Sequence, residues 1–246
     1  MTKVLCKKLS LIVPAHNEES IIYNNSLEMC RLLNSFVNEF EIIIVDDGSE
    51  DSTYDEAMKA SKADKHIKVL KTKWGGKGNA LKNGTVLAIG DYIAFCDADL
   101  DISPIQLKYF FDVMINEKSD VVIGSKMHKD SIVDYPFIRK VYSYCYYILL
   151  CILFNLKLKD TQTGLKLFKA SIIKEVMSKV ETKGFAFDIE MLTLINDEGY
   201  KISSAPVEIV FHRKALGRIG VNEIYNMIVD TFKIFYKLRI KKEGNV

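Results

Sequence analysis

Apolar positions along this chain follow two rhythms that alternate. Lys8 to Val13 (KLSLIV) and Phe40 to Val45 (FEIIIV) are short runs with almost no polar face, as strands covered on both sides require. Between them, from Glu18 onward, Ile21, Ile22, Leu27, Leu32, Leu33 and Phe36 recur at helical spacing. The alternation then repeats. Asp51-Ser52-Thr53 caps a helix, Ile67 to Leu70 is a strand, Gly75-Gly76-Lys77-Gly78 a loop, Asn79 to Ile89 a helix and Tyr92 to Phe95 a strand. Pro104 to Asn116 reads as a helix and Asp120 to Ile123 as a strand. The pattern predicts an α/β fold, an open and mostly parallel sheet with helices on both faces.

The second half is less regular. An aromatic helical segment spans about 135–156, followed by the polar turn Asp160 to Gly164 leading into Leu165 to Phe168. Ile172 to Val180 is a helix, another opens at Phe185, and Val207 to Phe211 reads as a late strand before the basic cluster His212-Arg213-Lys214. From Asn222 to Ile240 an amphipathic helix carries Ile224, Ile228, Phe232, Phe235 and Leu238 in register and ends in Lys233, Lys237, Arg239, Lys241 and Lys242. The uncharged run Val141 to Leu156 falls short of the roughly 20 residues a spanning helix needs. Its flanks, Arg139-Lys140 and Lys157 with Lys159, are those of a segment lying at a membrane interface. The expected organisation is a catalytic-type domain over residues 1–220 and a basic amphipathic helix over 221–246.

Composition narrows the function. With 246 residues and 48% apolar content the chain can bury a substantial core. A net charge of +2 lacks the basic excess of a nucleic-acid binder. Five cysteines, odd in number and without a Cys-x-x-Cys pair, predict reduced thiols and no zinc site. Met1 to Lys8 is short, polar and lysine-bearing and runs straight into a strand pattern, so no signal peptide is expected, and the reduced cysteines are those of a cytosolic protein.

Chemistry is concentrated where the first four strands end, the edge at which open parallel sheets bind ligands. Pro14 to Glu18 follows the first strand, Asp46-Asp47 the second, Trp74 to Lys77 the third, and Asp97-Ala98-Asp99-Leu100-Asp101 the fourth. Three carboxylates at alternate positions are hard oxygen donors suited to Mg²⁺ or Mn²⁺, which in turn hold a diphosphate. The same residues also read as a solvated acidic turn with Asp101 capping the helix opened by Ser103-Pro104, and both readings stay open. Lys77 on its glycine loop can reach phosphates, although the Walker spacing is absent, and no Gly-x-Gly-x-x-Gly follows a strand.

The segments VPAHNEE, VDDGSEDST, GGKGNAL, DADLD, GSK, DTQTGLKLF and FAFDIEML, in this order, resemble the family 2 glycosyltransferases of the GT-A fold. Within these they look like the polyprenyl-phosphate sugar synthases, most closely the dolichyl-phosphate glucosyltransferase branch. The resemblance covers roughly residues 8 to 220. It implies that Pro14, Ala15, His16, Asn17, Glu18, Asp47, Lys77, Asp97, Ala98 and Asp99 bind the nucleotide-sugar. Asp47 would hydrogen-bond the base and His16 stack on it where relatives show Tyr or Phe. Asp97, Asp99 and Asp101 would hold the metal, and Asp99, Asp160, Gln162 and Asp188 would serve the sugar and the reaction. Lys126, Arg139, Arg213 and Arg218 are the candidates for the acceptor phosphate. The implied activity is inverting, metal-dependent transfer of glucose or N-acetylglucosamine from a UDP-sugar to polyprenyl or dolichyl phosphate at a membrane surface, giving a lipid-phosphate sugar for glycan assembly. A GDP-mannose-dependent transferase and a non-enzymatic nucleotide-binding subunit are the alternatives. Peripheral attachment at the cytoplasmic face is expected, no nucleic acid is expected as a partner, and a second copy of the chain remains a candidate partner.

Overall fold

The structure, a computed structural model, describes residues 8–133, 137–184, 186–211 and 221–241, with side chains described outside 137–142 and 221–226. Seven strands form one sheet: β1 (Leu9–Ala15), β2 (Phe40–Asp47), β3 (Ile67–Thr72), β4 (Tyr92–Phe95), β5 (Val121–Ser125), β6 (Lys166–Lys169) and β7 (Ile202–Pro206). Their spatial order is β3-β2-β1-β4-β6-β5-β7. Every neighbouring pair is parallel except those of β6, which runs antiparallel to both β4 and β5. The chain builds outward from β1 to β3 and then returns to place β4 on β1's other side. That reversal opens a crevice beyond the carboxyl ends of β1 and β4, where such sheets take ligands.

The expected α/β fold with a mostly parallel sheet is therefore the fold observed. The helices are α1 (Ile22–Asn34), α2 (Thr53–Ala63), α3 (Lys77–Leu87), α4 (Leu107–Asn116), α5 (Phe137–Phe154), α6 (Ala170–Lys179), α7 (Phe187–Asp197) and α8 (Val221–Phe235). A 3₁₀ turn, Pro104–Gln106, precedes α4, with Ser103 Oγ accepting from the Ile105 N–H at 3.4 Å. Ser103, not Asp101, thus caps that turn. Alternation along the strands splits the core in two. Leu9, Leu11, Val13, Ile42 and Ile44 join the cluster that includes α1 and α4, whereas Ile12, Ile43, Val45 and Ile93 join the one that includes α3, α6 and α7.

Two expectations shift. The late strand is Ile202–Pro206, not Val207 to Phe211, which contributes a single bridge between Glu208 and Ile132. The strand escapes the pattern because its inward Ser203 is polar. That hydroxyl is buried against Ser119 at 2.5 Å and Glu117 Oε2 at 2.6 Å, so hydrogen bonds replace apolar contact. The apolar residues of α8 and the π-helical turn that extends it, Tyr236–Ile240, divide over two faces. Ile234 and Leu238 are buried, whereas Ile228 and Phe232 are exposed. No helix among the described residues is long and apolar enough to cross a membrane.

Candidate active site

The loops after β1 and β2 are laced together. Asn17, held in the left-handed region at φ 56°, donates its N–H to Ser49 Oγ at 3.0 Å and accepts the Glu50 N–H on Oδ1 at 3.0 Å. The N–H of Glu18 reaches Thr53 Oγ1 at 2.7 Å, and His16 Nδ1 lies 3.1 Å from the Asp47 carbonyl. This lacing fixes Pro14 to Glu18 along one wall of the crevice. At the end of β2, Asp46 and Asp47 point to opposite faces, as strand alternation demands. Asp46 Oδ1 accepts the Ser49 N–H and Oδ2 is buried without a hydrogen bond. Asp47 is buried too, and its carboxylate accepts from the N–H of Gly75 at 3.1 Å and of Gly76 at 2.6 Å. The residue expected to meet a base thus also holds the glycine loop, and a bound base would share it with that loop.

The loop delivers Lys77 to the first turn of α3, and Gly76, at φ 86°, is the glycine its turn requires. Lys77 Nζ lies 2.5 Å from Asp97 Oδ1 at the end of β4. Burial alone would push the Asp97 carboxyl up, but the Lys77 ammonium, helped by Lys166 and Lys126, pulls it below its ordinary value. Asp99 has the opposite balance. Burial and the nearby carboxylates of Asp97, Asp101 and Glu18 raise it above its ordinary value, against one hydrogen bond from the Asp101 N–H.

Between Asp99 and Asp101, Leu100 adopts φ 60°, a conformation that costs a bulky residue about 1 kcal/mol. The kink turns the Asp101 N–H back onto Asp99 Oδ1 at 3.1 Å. Consequently the three aspartates are no self-sufficient cage. No group of three or more His, Cys, Asp or Glu side chains among the described residues is arranged to hold a metal by itself. Crowded, partly desolvated carboxylates still suit a hard divalent cation, which commonly takes one or two carboxylates and completes its shell with substrate phosphates and water. Asp97 and Asp99 are the residues that would hold it.

Gly164 closes the site from the other side. A Cβ there would collide with the Asp97 carboxylate, with Cγ at 2.6 Å. Since the obstacle is a side-chain end and no backbone, Gly164→Ala is expected to keep the fold, with Tm within a few degrees of the parent, and to displace Asp97. A displacement of about 1 Å at a reacting centre lowers rates by roughly 100-fold. Thermal melts paired with kcat/KM measure both halves, and an unaltered kcat/KM would count against Asp97 as a site residue.

Asp160 and Gln162 occupy the same wall. Asp160 Oδ2 accepts from the Lys126 N–H at 2.9 Å and Thr163 Oγ1 at 2.6 Å, and Oδ1 from the Gln162 N–H at 3.1 Å. Asp160 thereby fastens the 160–163 turn to the end of β5. Gln162 Nε2 contacts Met227 Sδ of α8 at 2.9 Å. Lys126 Nζ stands 3.9 Å from Asp160. Arg213, Arg218 and the Arg139 side chain lie outside the described residues.

Lys166 is the residue that sequence reasoning did not single out. It lies in β6, opposite Phe95 and Ile123, and is 2% exposed. Its Nζ sits 2.7 Å from Asp188 Oδ1 and donates to the Thr163 carbonyl at 2.5 Å. Asp188 is held above its ordinary value by burial, against the pull of Lys166 and Lys77. Lys77, Asp97, Lys166 and Asp188 therefore form alternating charges that run from the crevice into the core. The signal for Lys166 was present, a lysine inside the apolar run Leu165 to Phe168, a position where a charge needs a partner.

The glycosyl transferase family 2 profile matches residues 10–177, spanning β1 through most of α6. A dolichyl-phosphate beta-glucosyltransferase of Dictyostelium discoideum is 32% identical over 81% of this chain and 65% of its own length. One from Saccharomyces cerevisiae is 28% identical over 81% of this chain and 66% of its own, and one from Trichomonas vaginalis 30% identical over 94% and 75%. The chain thus spans about two thirds of the length of the first two. Among solved structures, glucosyl-3-phosphoglycerate synthase of Mycobacterium tuberculosis, crystallised with Mn²⁺, UDP and phosphoglyceric acid, superposes with a TM-score of 0.70 at 19% identity, covering 94% of this chain and 78% of that one. Mannosyl-3-phosphoglycerate synthase of Rubrobacter xylanophilus gives 0.71 at 16% identity, covering 97% and 76%. The expected GT-A fold is the one these neighbours share, and with the profile match over more than half of its length, this chain belongs to glycosyl transferase family 2.

Proposed function

We propose that the chain transfers glucose or N-acetylglucosamine from a UDP-sugar to a dolichyl or polyprenyl phosphate at the cytoplasmic face of a membrane. The observation that carries this reading is the meeting of Lys77, Asp97 and Asp99 at the sheet's reversal point, with Lys126 and Lys166 close enough to act on Asp97. Such a site gathers two anionic substrates. The relatives' names supply the acceptor class, and the Mn²⁺ and UDP of the structural neighbour supply a precedent for the donor.

A phosphate acceptor simplifies the chemistry. Its second pKa lies near 6, so the attacking oxygen is already ionised at neutral pH and needs no general base. Attack on the anomeric carbon from the face opposite the nucleotide forms the new C–O bond as the nucleoside diphosphate leaves, inverting that centre. A divalent ion held by Asp97 and Asp99 would offset the charge gathering on the diphosphate. On this reading Lys77 holds the donor phosphates and Lys126 the acceptor, while Asp188, buried against Lys166, supports the site from behind.

The acceptor's lipid tail has a matching surface. Tyr144, Ile148 and Ile152 form an exposed stripe on α5, and Ile228, Phe232, Tyr236 and Ile240 form another along α8 and its extension. Exposed Lys157, Lys159, Lys233 and Lys241 flank them, each contributing on the order of 1 kcal/mol near an anionic surface. Residues 1–220 then carry the chemistry and the helix from 221 faces the lipid.

A donor screen with UDP-glucose, UDP-N-acetylglucosamine and GDP-mannose against a short polyprenyl phosphate, with Mg²⁺ or Mn²⁺, tests the reading. Label is expected in the lipid fraction with a UDP-sugar and to vanish with chelator. Trp74, the chain's one tryptophan, is 73% exposed beside Gly75, so its emission reports donor binding independently of turnover. Label in no lipid fraction with any donor defeats the proposal.

A further inference from the structure

The glycine loop is held from behind by a strap, residues 180–184. The Gly78 N–H donates to the Lys183 carbonyl at 2.8 Å, and Lys82 Nζ donates to the Val180 carbonyl at 2.7 Å. Packing is tight at both glycines flanking Lys77. A Cβ on Gly76 would meet the Lys183 carbonyl oxygen at 2.8 Å, and one on Gly78 would meet the Thr182 carbonyl oxygen at 2.8 Å and Phe187 at 2.6 Å. Wherever the strap moves, the loop carrying Lys77 must follow.

The strap is in turn gripped by Glu190 of α7, whose side chain is fully buried. Its Oε2 accepts the N–H groups of Glu181 at 3.1 Å and Thr182 at 2.8 Å. Its Oε1 faces Lys237 Nζ at 2.7 Å, and Lys237 also reaches Glu181 Oε2 at 2.8 Å. Lys237 belongs to the π-helical turn after α8, one residue before buried Leu238, and π-turns are frequent where a helix has been re-aimed for use.

We infer that Lys237 is a positioning residue for the donor-phosphate loop, acting through Glu190 and the 181–184 strap, so that the seating of the C-terminal helix sets how firmly Lys77 is presented. Lys237 supplies the charge that lets Glu190 remain a buried anion. That anion holds two strap N–H groups more strongly than a neutral acceptor could. The strap holds Gly78, and Gly78 fixes the turn that aims Lys77 at Asp97. The same π-turn carries exposed Tyr236 and Ile240 of the outer apolar stripe. One short element therefore joins that stripe to the loop.

The inference rests on the proposed donor role of the loop, and its test separates the two. Amide exchange in the full chain is measured for Gly78, bonded to the strap, and for Gly75 and Gly76, bonded to Asp47. In Lys237→Ala the Gly78 amide is expected to exchange about 10-fold faster while Gly75 and Gly76 change far less. The KM for the nucleotide-sugar is expected to rise about fivefold, with kcat within about twofold of the parent, whereas partial unfolding would lower kcat at unchanged KM. Lys237→Arg, able to bridge both carboxylates, should restore both values. If the alanine variant does not fold, the paired change Lys237→Met with Glu190→Gln removes cation and buried anion together and is read the same way. A Gly78 amide exchanging at the parent rate in a folded variant overturns the inference. Faster Gly78 exchange with an unaltered donor KM upholds the mechanical tie and counts against the loop's donor role.

Discussion

Asp99→Asn is expected to lower kcat/KM by about three orders of magnitude while leaving the protein as stable as the parent, or more so. The two halves come from the same crowding. In the structure Asp99 is partly buried among Asp97, Asp101 and Glu18, and its carboxylate accepts a hydrogen bond from the Asp101 N–H. Without substrate its negative charge repels its neighbours and is poorly solvated, so a neutral isostere that keeps the acceptor for Asp101 relieves the fold. On the proposed reading, that same charge would help hold the divalent ion that offsets the charge building up on the leaving diphosphate, and a single preorganised electrostatic contact of that kind contributes about 3–4 kcal/mol. A gain in stability with a loss of function is the signature of a residue kept for its chemistry. Thermal melts should show Tm unchanged or a few degrees higher. The assignment fails if turnover survives, and a large fall in Tm would recast Asp99 as a structural residue.

The same change at Asp97 should look different, because Asp97 already has a partner. Its pairing with Lys77 makes it a contributor to both fold and site. This contrast between adjacent aspartates in one motif was not legible in the sequence, where the three carboxylates are equivalent by spacing. What separates them is Lys77, which pairs with Asp97, and the left-handed Leu100, which turns the backbone between Asp99 and Asp101. Nothing about a leucine announces that conformation. The strands β1, β2, β4 and β5, by contrast, were legible, because burial on both faces leaves a nearly unbroken apolar run. β7 was hidden by Ser203, whose hydroxyl is satisfied by partners more than eighty residues away in the chain. The role of Asp47 as holder of the glycine loop was hidden for the same reason: its partners come from a loop that only the folded sheet brings near. Local periodicity carries information about faces, and little about which distant polar group completes a buried one.

Lys166 is where that limit matters most, and its variants should separate folding from chemistry. Lys166→Met is expected to destabilise the protein by about 3–5 kcal/mol, since it strands the buried Asp188 carboxylate without its cation. For a chain of this size that corresponds to a fall in Tm of roughly 10 °C. Part of the loss should be recovered by adding Asp188→Asn, which removes the uncompensated charge while nearly keeping its volume. Activity should not return with stability. Lys166 also acts on Asp97, so the double variant lacks one of the cations that hold Asp97 ionised and in place, and its kcat/KM is expected to stay about 100-fold or more below the parent. Denaturant melts and steady-state kinetics on the parent, both single variants and the double variant form a complete cycle. A coupling energy near zero would mean that Lys166 and Asp188 do not act as a pair. Recovery of kcat/KM in step with Tm would make the pair a structural strut behind the crevice and no part of its chemistry.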